Sequence, residues 1–570
     1  MSELPLTSFK RFINLLKVDK KDVFAIYYFA LFRGLVTLSL PLGIQAIINL
    51  ITGGEISTSW IVLLIFVVAG VAISGVMQIY QLSISESIQQ KIFTRSAFEF
   101  AYRMPRLKLE AVWHKHLPEL TNRFFDTLTI QKGITKMLMD FSSASLQVIF
   151  GMILLSIYHP YFIFFSIGML VTLYLLFKYT IPKGLKSSLK ESRYKYEVAH
   201  WLEEIARTME TFKLSGKSDL VLNKTDEVVK EYLGARDSHF QTLKTQYYIL
   251  VTIQTVVVLA LLLIGGLLVI NQKMNIGQFV ASEVIILLLM GSMEKVILSM
   301  ESIYDVLTGV EKIGEVLDIP LDNNDNSIEF KDNYIDIELS DVSYKFIDNN
   351  TPMINHVNLQ VNHGDKICMS GFPDSGKTVL AELIAGIYDN YQGTITCNKI
   401  LLQNWNKEDI FYAIGDNLEG EAIFEASLME NITLGREKVT IDQVKKIGSI
   451  LGFEEQINRL DDGYNTKLMP EGKNISRCLK RKIILARAVV GEPRLILLED
   501  QFASLSRGQI NAFMSFLIES DFSVIIISND INIAKRMDRS WIIDKGELKF
   551  DNNWSALQNE DLFKNIFELN

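Results

Sequence analysis

Residues 371–378 read Gly371-Phe372-Pro373-Asp374-Ser375-Gly376-Lys377-Thr378, and they indicate how the second half of the chain folds. Its spacing, with four residues between the first two glycines and then Lys-Thr, is typical of a loop whose backbone amides surround phosphate oxygens. The apolar run 366–369 precedes the loop and the apolar run 379–384 follows it, so we expect a strand, the loop and then a helix. In that arrangement Lys377 reaches the terminal phosphates and the Thr378 hydroxyl ligates Mg2+. A glycine-rich turn that matches by chance is the alternative, which the flanking strand and helix disfavour.

The hydrophobic residues are concentrated in the first half of the chain. At 570 residues, of which 49% are hydrophobic, the sequence is too long for one core, and we expect at least two domains. Apolar segments of membrane-spanning length lie at 23–51, 59–82, 140–158, 161–181, 246–270 and 277–300. The first is too long for a cleaved signal peptide and lacks a small-residue cleavage site, so it is predicted to be a span. The second half alternates short strand-like and helix-like segments with many charges, which is typical of a soluble α/β domain.

The distribution of basic residues predicts the orientation of these spans. The short segments 52–58, 158–160 and 271–275 together hold a single basic residue, Lys273. The segments on the other side are much richer in Lys and Arg, which is typical of the cytoplasmic side. The sequence therefore predicts a multi-pass protein of the cytoplasmic membrane with both termini in the cytoplasm.

Two long polar segments, 83–138 and 182–245, lie on the predicted inner side. They read as continuations of the spanning helices into the cytoplasm, and an independent loop domain is the alternative. We expect a transmembrane domain over 1–317, a linker over 318–332 where Pro, Asn and Asp break the helix, and a soluble domain over 333–570.

Cysteine, histidine and net charge argue against several kinds of site. The three cysteines lie in the predicted cytoplasmic half without metal-ligand spacing, so we expect neither a disulfide nor a zinc site. The seven histidines form no spaced cluster and are expected to be surface or packing residues. A net charge of -9 argues against binding to nucleic acid.

Further stretches, in a fixed order along the chain, resemble those of one family. In the first half, residues 40–45 are similar to the family's proline-kinked first helix. Residues 276–281 are similar to the start of its sixth span, and residues 310–318 to the end of that span before the linker. In the second half, residues 424–432 resemble the segment that follows the glutamine loop. Residues 475–488 correspond to the signature and the start of its helix, and residues 495–500 to the Walker B strand. Together with the phosphate loop, these stretches resemble one half of an ATP-binding cassette (ABC) exporter over nearly the whole chain. The resemblance implies an all-α transmembrane domain of six helices, as in type I exporters, followed by an α/β P-loop NTPase domain of the ABC type.

The resemblance also implies the ligands of ATP and Mg2+. The metal would be held by Thr378 and Glu499. The phosphate contacts would come from Gly371, Ser375, Gly376, Lys377 and Thr378. Phe346 stands where the family has an adenine-stacking tyrosine, and a core position is the alternative. Glu419 is the nearest match to the missing glutamine of the glutamine loop, and Asp374 replaces a loop glycine and places negative charge near the phosphates.

The positions that carry out hydrolysis depart from the family pattern. The Walker B strand ends in Glu499-Asp500, whereas the family has Asp followed by Glu. The carboxylate of Asp500 is thus one carbon–carbon bond shorter, and a misplacement of about 1 Å can cost about 100-fold in rate. Asn529 replaces the switch histidine, and its amide could hydrogen-bond the γ-phosphate but cannot carry a proton. Slow hydrolysis is the expected result.

The signature segment is altered as well. Ser476 is kept, but Arg477 and Cys478 replace the two glycines that let a helix N-terminus approach the γ-phosphate. We expect these side chains to obstruct that approach, and a favourable charge from Arg477 is the alternative. Because each nucleotide in this family lies between the phosphate loop of one chain and the signature of another, the resemblance implies a homodimer or a heterodimer with a second half-transporter.

The resulting prediction is a half-transporter that exports a substrate across the cytoplasmic membrane, as an ATPase-coupled translocase with slow hydrolysis. The membrane helices look like those of exporters for peptides or proteins, while lipids and drugs stay open as substrates. An ATP-binding regulatory or scaffolding subunit without its own hydrolysis is the alternative. An ATP-gated channel is a third reading.

Overall fold

The computed structural model describes residues 4–52, 58–322, 327–347, 351–418, 422–558 and 566–567. The chain folds into two compact units. The first unit comprises Met1–Leu107 and His114–Pro320, and the second comprises Lys108–Trp113 and Leu321–Asn570. A short segment of the first half of the sequence, residues 108–113, therefore belongs to the second unit.

Long helices make up the first unit. In chain order, with α5 belonging to the second unit, they are α1 Leu4–Val18, α2 Lys20–Thr37, α3 Ser39–Thr52, α4 Thr58–Arg103, α5 Leu109–Val112, α6 Leu117–Asn122, α7 Asp126–Thr135, α8 Ser142–Tyr158, α9 Pro160–Arg207, α10 Met209–Leu214, α11 Leu220–Ile270 and α12 Ile276–Leu317. Short turns of 3-10 helix lie at Met104–Arg106 and Arg123–Phe125, and a π-helix lies at Lys136–Phe141.

The six predicted spans are confirmed. Within the described residues, six helical stretches are long and apolar enough to cross a membrane, at Lys20–Thr52, Thr58–Arg106, Leu117–Tyr158, Pro160–Arg207, Leu220–Ile270 and Ile276–Leu317. Helices α9 and α11 have 48 and 51 residues. At 1.5 Å per residue they are about 72 and 77 Å long, more than twice the thickness of a hydrocarbon core of about 30 Å. The polar segment that follows α4 is different, because Pro105 and Pro118 interrupt it and short helices replace a single continuous one.

Helices α9, α11 and α12 pack around the fully buried Tyr304. The Gln246 amide donates to the Tyr304 hydroxyl at 2.8 Å and to the Thr180 hydroxyl at 2.9 Å, so these polar groups are satisfied inside the unit. Gly184 on α9 makes room for the ring, since a Cβ there would lie 2.3 Å from it. One tyrosine thus joins three long helices.

Strands and shorter helices make up the second unit. The strands are β1 Ile337–Tyr344, β2 Ile354–Val361, β3 Lys366–Gly371, β4 Gln392–Cys397, β5 Ile400–Leu401, β6 Ile414–Asp416, β7 Leu495–Glu499, β8 Ser523–Ile527, β9 Arg539–Asp544 and β10 Glu547–Asn552. The helices are α13 Lys377–Ile384, α14 Lys407–Ala413, α15 Leu428–Thr433, α16 Ile441–Leu451, α17 Glu454–Ile457, α18 Arg477–Val489, α19 Arg507–Glu519, α20 Ile531–Ala534 and α21 Trp554–Leu557. The predicted α/β domain is therefore confirmed.

Two sheets organise this unit. The smaller sheet is antiparallel, in the order β2-β1-β4-β5, and the larger has the order β10-β9-β3-β8-β7-β6. In the larger sheet the strands from β9 to β6 run parallel, and β10 is antiparallel to β9. Strand β8 is buried along its whole length, as expected for a parallel strand covered on both faces.

The sheet order determines which residues meet. Strands β3, β8 and β7 are neighbours, so their carboxyl ends lie side by side at one edge. The phosphate loop follows β3, Asn529 lies just beyond β8, and Glu499 is the last residue of β7. Ligands of open α/β sheets bind at such carboxyl ends, and this edge is the candidate site.

Candidate functional site

The phosphate loop joins β3 to α13, as the sequence predicts, and two of its glycines are required by the backbone. Gly376 precedes α13 with φ of 97°, in the left-handed region that glycine favours. A Cβ on Gly376 would lie 2.8 Å from the carbonyl oxygen of Met353, and one on Gly371 would lie 2.2 Å from that of Ile543. Side chains at these positions would push the loop away from its neighbours.

The Lys377 ammonium lies inside the loop. It donates to the carbonyl oxygens of Gly371 at 3.0 Å and Phe372 at 2.6 Å, and to the Ser375 hydroxyl at 3.2 Å. Burial lowers the pKa of Lys377, and the nearby carboxylates of Glu499 and Asp374 act in the opposite direction. These three hydrogen-bond acceptors are uncharged oxygens. Phosphate oxygens would therefore supply the negative charge that these acceptors do not give the Lys377 ammonium. The loop therefore fits the triphosphate of ATP.

Ser375 and Thr378 occupy different parts of the loop. Ser375 is buried, and its carbonyl oxygen accepts a hydrogen bond from the Gly546 amide at 3.0 Å, which fixes the loop to the turn after β9. Thr378 is the second residue of α13 and is half-buried. Asp374 is exposed and has φ of 58°. That conformation suits the glycine which the family has there, and it costs free energy for residues with a Cβ.

The Walker B residues are anchored by two side chains. The side-chain oxygen of Asn417 accepts from the backbone N–H of Glu499 at 2.7 Å, and its side-chain nitrogen donates to the backbone carbonyl of Glu499 at 3.1 Å. One oxygen of Asp500 accepts from the Ser528 hydroxyl at 2.6 Å, and the other accepts from the Phe502 amide at 3.3 Å. The Asp500 carboxylate is thus tied to the end of β8, where Ser528 lies.

Asn529 is bound to the phosphate loop itself. Its side-chain oxygen accepts from the Gly371 amide at 3.1 Å, and its side-chain nitrogen donates to the Gly371 carbonyl at 3.1 Å. The amide group that could hydrogen-bond a γ-phosphate is therefore paired with the first residue of the loop. In this arrangement Asn529 joins β8 to the loop.

The signature residues begin α18. The Ser476 hydroxyl accepts from the Leu479 amide at 3.1 Å and caps the helix. Cys478 is half-buried, and its thiol donates to the Ser504 carbonyl at 3.2 Å. Arg477 is exposed. Of the two residues expected to obstruct the helix N-terminus, Arg477 is the one whose side chain is on the surface.

Phe346 belongs to an aromatic cluster of the second unit. Its ring stacks on Trp113, with centroids 4.7 Å apart and planes at 22°, and it meets Tyr344 edge-on at 5.3 Å. Trp113 follows α5, so a ring face at the predicted adenine position is covered by the segment 108–113. The sequence offers no signal for this contact, because the two residues are far apart in the chain.

The remaining site prediction, Glu419, lies outside the described residues. Three residues near the candidate site were missed by the sequence reasoning: Asn417, Ser528 and Trp113. Ser528 directly follows the buried strand β8, at the carboxyl end of the sheet, and this position could have identified it as a candidate site residue. Asn417 and Trp113 are recognisable only from their contacts.

Two family descriptions match this chain. That of the ABC transporter transmembrane region covers residues 23–293, and that of the ABC transporter covers residues 354–503. Together they cover both halves of the chain.

Similar curated proteins are bacterial export proteins. Leukotoxin export ATP-binding protein LtxB of Aggregatibacter actinomycetemcomitans is 26% identical over 302 residues, which cover 52% of this chain and 42% of that protein. Lactococcin-A transport/processing ATP-binding protein LcnC of Lactococcus lactis subsp. lactis is 22% identical over 432 residues, covering 75% of this chain and 60% of that protein. Alpha-hemolysin translocation ATP-binding protein HlyB of Escherichia coli O157:H7 is 26% identical over 321 residues, covering 56% and 46%. This chain thus spans about half the length of the curated relatives that it matches.

A solved structure of a bacterial Atm1-family ABC exporter with ATP bound has the same fold. It superposes with a TM-score of 0.82 at 17% identity, covering 96% of this chain and 98% of that one. At this identity the likeness concerns the fold alone.

Proposed function

Since this chain belongs to the ABC transporter family and joins its transmembrane region to its nucleotide-binding domain, we propose that it is a half-transporter that binds ATP, hydrolyses it slowly and exports a substrate across the cytoplasmic membrane. ABC exporters generally form dimers in a lipid bilayer, and here the second chain is an identical copy or another half-transporter. Both termini lie in the cytoplasm, on the side rich in Lys and Arg.

The position of the Lys377 ammonium carries this proposal. It lies within hydrogen-bonding distance of three oxygens of the phosphate loop, where a triphosphate would supply the missing negative charge. Gly371, Ser375 and Gly376 shape the loop, and Thr378 and Glu499 are the residues for Mg2+. Bound Mg2+ would neutralise part of the phosphate charge.

Slow hydrolysis follows from Asp500. The side chain is shorter than the glutamate of the family, and its hydrogen bond with Ser528 directs the carboxylate towards the end of β8. Asn529 cannot take up or release a proton in the place of a histidine. The first change weakens the positioning of an attacking water and the second removes a group that could carry a proton, and neither prevents nucleotide binding.

The same contacts favour a second candidate, an ATP-binding regulatory or scaffolding subunit without its own hydrolysis. The Asp500 carboxylate accepts hydrogen bonds from Ser528 and from the Phe502 amide. The Asn529 side chain is hydrogen-bonded to the backbone of Gly371. Side chains kept in such contacts can maintain the site's structure without serving catalysis.

For the substrate we propose a peptide or protein. The names of the similar curated proteins refer to the export of a leukotoxin, the translocation of alpha-hemolysin and the transport and processing of lactococcin A. Their lengths exceed that of this chain, so the proposal concerns the class of substrate and no particular toxin.

The decisive experiment measures ATP binding and Mg-ATP turnover of the full-length protein in lipid, alone and with any chain that co-purifies and is identified by mass. Lys377→Ala removes the loop ammonium, and Lys445→Ala, at an exposed lysine of α16 in the same unit, is the matched control. Turnover that Lys377→Ala abolishes and Lys445→Ala preserves supports the half-transporter. Saturable binding without turnover in either preparation supports the regulatory subunit. Absence of saturable ATP binding would contradict both.

A further inference from the structure

The first unit brings together two histidines and a glutamate from distant parts of the sequence. His116 immediately precedes α6, and His200 and Glu203 lie three residues apart on one face of α9. One ligand atom from each of the three lies within 4.8 Å of the others. The sequence shows no spaced cluster of histidines, because spacing reveals only ligands that share one segment, whereas the structure places His116 beside His200. From this cluster we propose a binding site for a divalent transition-metal ion, with Zn2+ as its ligand.

The hydrogen bonding of the three side chains points to a missing ligand. His116 Nδ1, His200 Nδ1 and Glu203 Oε2 are all screened from solvent, and none has a hydrogen-bond partner within the described part of the chain. His116 Nδ1 and Glu203 Oε2 lie 3.5 Å apart. Buried polar atoms are normally satisfied, and each exception calls for an explanation such as a bound ion. Three adjacent exceptions, all on groups that ligate metals, share one explanation in a common ion.

The residues around the cluster orient the proposed ligands. The other oxygen of Glu203 accepts a hydrogen bond from the Asn122 amide. The other nitrogen of His116, Nε2, lies 3.8 Å from Glu204 Oε1, and Glu204 is itself paired with Arg207 at 2.6 Å. Metal-bound histidines commonly direct their second nitrogen towards a carboxylate, which fixes the tautomer. In this cluster Nε2 of His116 lies on the side of Glu204, which leaves Nδ1 for the ion.

The donor set and the distances suit zinc. Two imidazoles and one carboxylate are a known ligand set for Zn2+, whereas Mg2+ and Ca2+ prefer oxygen ligands. Zinc–nitrogen bonds of about 2.0–2.1 Å in a tetrahedral site place neighbouring ligand atoms about 3.4 Å apart. The three ligand atoms must therefore approach one another by at most about 1.5 Å, which side-chain rotation can provide, and the fourth position would hold water. His200 and Glu204 also line a cavity in the same unit.

Binding would connect two segments of the first unit. The ion would hold the start of α6, at His116, against the cytoplasmic part of α9, at His200 and Glu203. Because His116 follows an exposed Lys115 directly, the bound ion should also restrict the chain around that lysine.

The test uses full-length protein purified with a tag other than polyhistidine, stripped with a chelator and free of nucleotide. Zn2+ is titrated in competition with a chromogenic chelator, and Co2+ serves as a spectroscopic probe of nitrogen and oxygen ligation. We expect one Zn2+ per chain. His116→Ala, His200→Ala and Glu203→Gln should each weaken binding at least tenfold, the lower end of the effect of changes around metal sites. His363→Ala, at an exposed histidine of the second unit, should leave affinity unchanged.

A second readout does not depend on variants. In the wild type, Zn2+ should slow tryptic cleavage after Lys115 while leaving cleavage after the exposed Lys217 unchanged, and Mg2+ should do neither. Wild-type protein that takes up no stoichiometric Zn2+, or three variants that all retain wild-type affinity, would overturn the proposal.

Discussion

At Asp500 a single residue combines a shorter side chain with a fixed direction. The hydrogen bond from Ser528, at 2.6 Å, holds its carboxylate beside the end of β8. The family has glutamate at this position, and the extra methylene extends the reach of the carboxylate beyond this bond. The rate of hydrolysis should therefore respond to the length of this side chain.

Asp500→Glu should raise Mg-ATP turnover by about tenfold or more, since a misplacement of about 1 Å costs about 100-fold. Steady-state phosphate release by the full-length protein in lipid checks this. The control is Asp521→Glu, the same change at an exposed position just before β8, which should leave turnover unchanged. An Asp500→Glu rate equal to that of the wild type would mean that another step or residue limits hydrolysis.

Asp374 combines two unfavourable features in the phosphate loop, a left-handed backbone and a negative charge near the phosphates. Asp374→Gly should remove both. We expect a higher midpoint of thermal unfolding, equivalent to about 1 kcal/mol, because glycine adopts φ of 58° without the cost borne by a residue with a Cβ. We also expect tighter ATP binding.

Asp374→Ala separates the two effects. It removes the charge but keeps a Cβ at the strained position, so it should tighten ATP binding without raising the unfolding midpoint. Affinity measured by ATP titration and unfolding measured by thermal scans distinguish the variants. Equal unfolding midpoints for Asp374→Gly and Asp374→Ala would contradict the argument from backbone strain.

Among the elements, the short helix α5 and its flanking residues are held to the rest of the second unit by three contacts of different kinds. Lys108 pairs with Asp389 at 3.0 Å, and Glu110 accepts from the Asn390 amide at 3.0 Å. The third contact is the stacking of Trp113 on Phe346. Because Phe346 is also the predicted adenine contact, nucleotide binding and the holding of α5 would both depend on one ring if that prediction holds.

Phe346→Ala should loosen α5. Aromatic pairs contribute about 0.5–1.5 kcal/mol beyond burial, so amide hydrogen exchange in residues 109–112 should accelerate by about two- to tenfold. Phe346→Tyr keeps the stacking and should exchange like the wild type. Phe411→Ala, at an exposed phenylalanine of α14, controls for the loss of a ring elsewhere in the unit. Unchanged exchange in Phe346→Ala would show that the two polar contacts alone hold α5.

Across the whole molecule, the features that could be predicted from the sequence are those that depend on residues close together in the chain. The spans follow from local apolar composition, and the phosphate loop follows from spacing within eight residues. The contacts of Asn417 with Glu499, of Trp113 with Phe346 and of His116 with His200 join distant segments. No periodicity or motif encodes such pairs, so they become visible only when the chain is folded.

The orientation of the whole molecule in the membrane is a prediction that two loops can test. Lys273 is exposed in the turn between α11 and α12, and Ser218 is exposed between α10 and α11. In a Cys478→Ser background the remaining thiols, Cys368 and Cys397, are buried, so an introduced cysteine should dominate labelling. A membrane-impermeant thiol reagent should label Lys273→Cys in intact cells and Ser218→Cys only after the membrane is opened, because the face rich in basic residues stays in the cytoplasm. The reverse pattern would invert the orientation and place the phosphate loop on the side without ATP, which is incompatible with the proposed export.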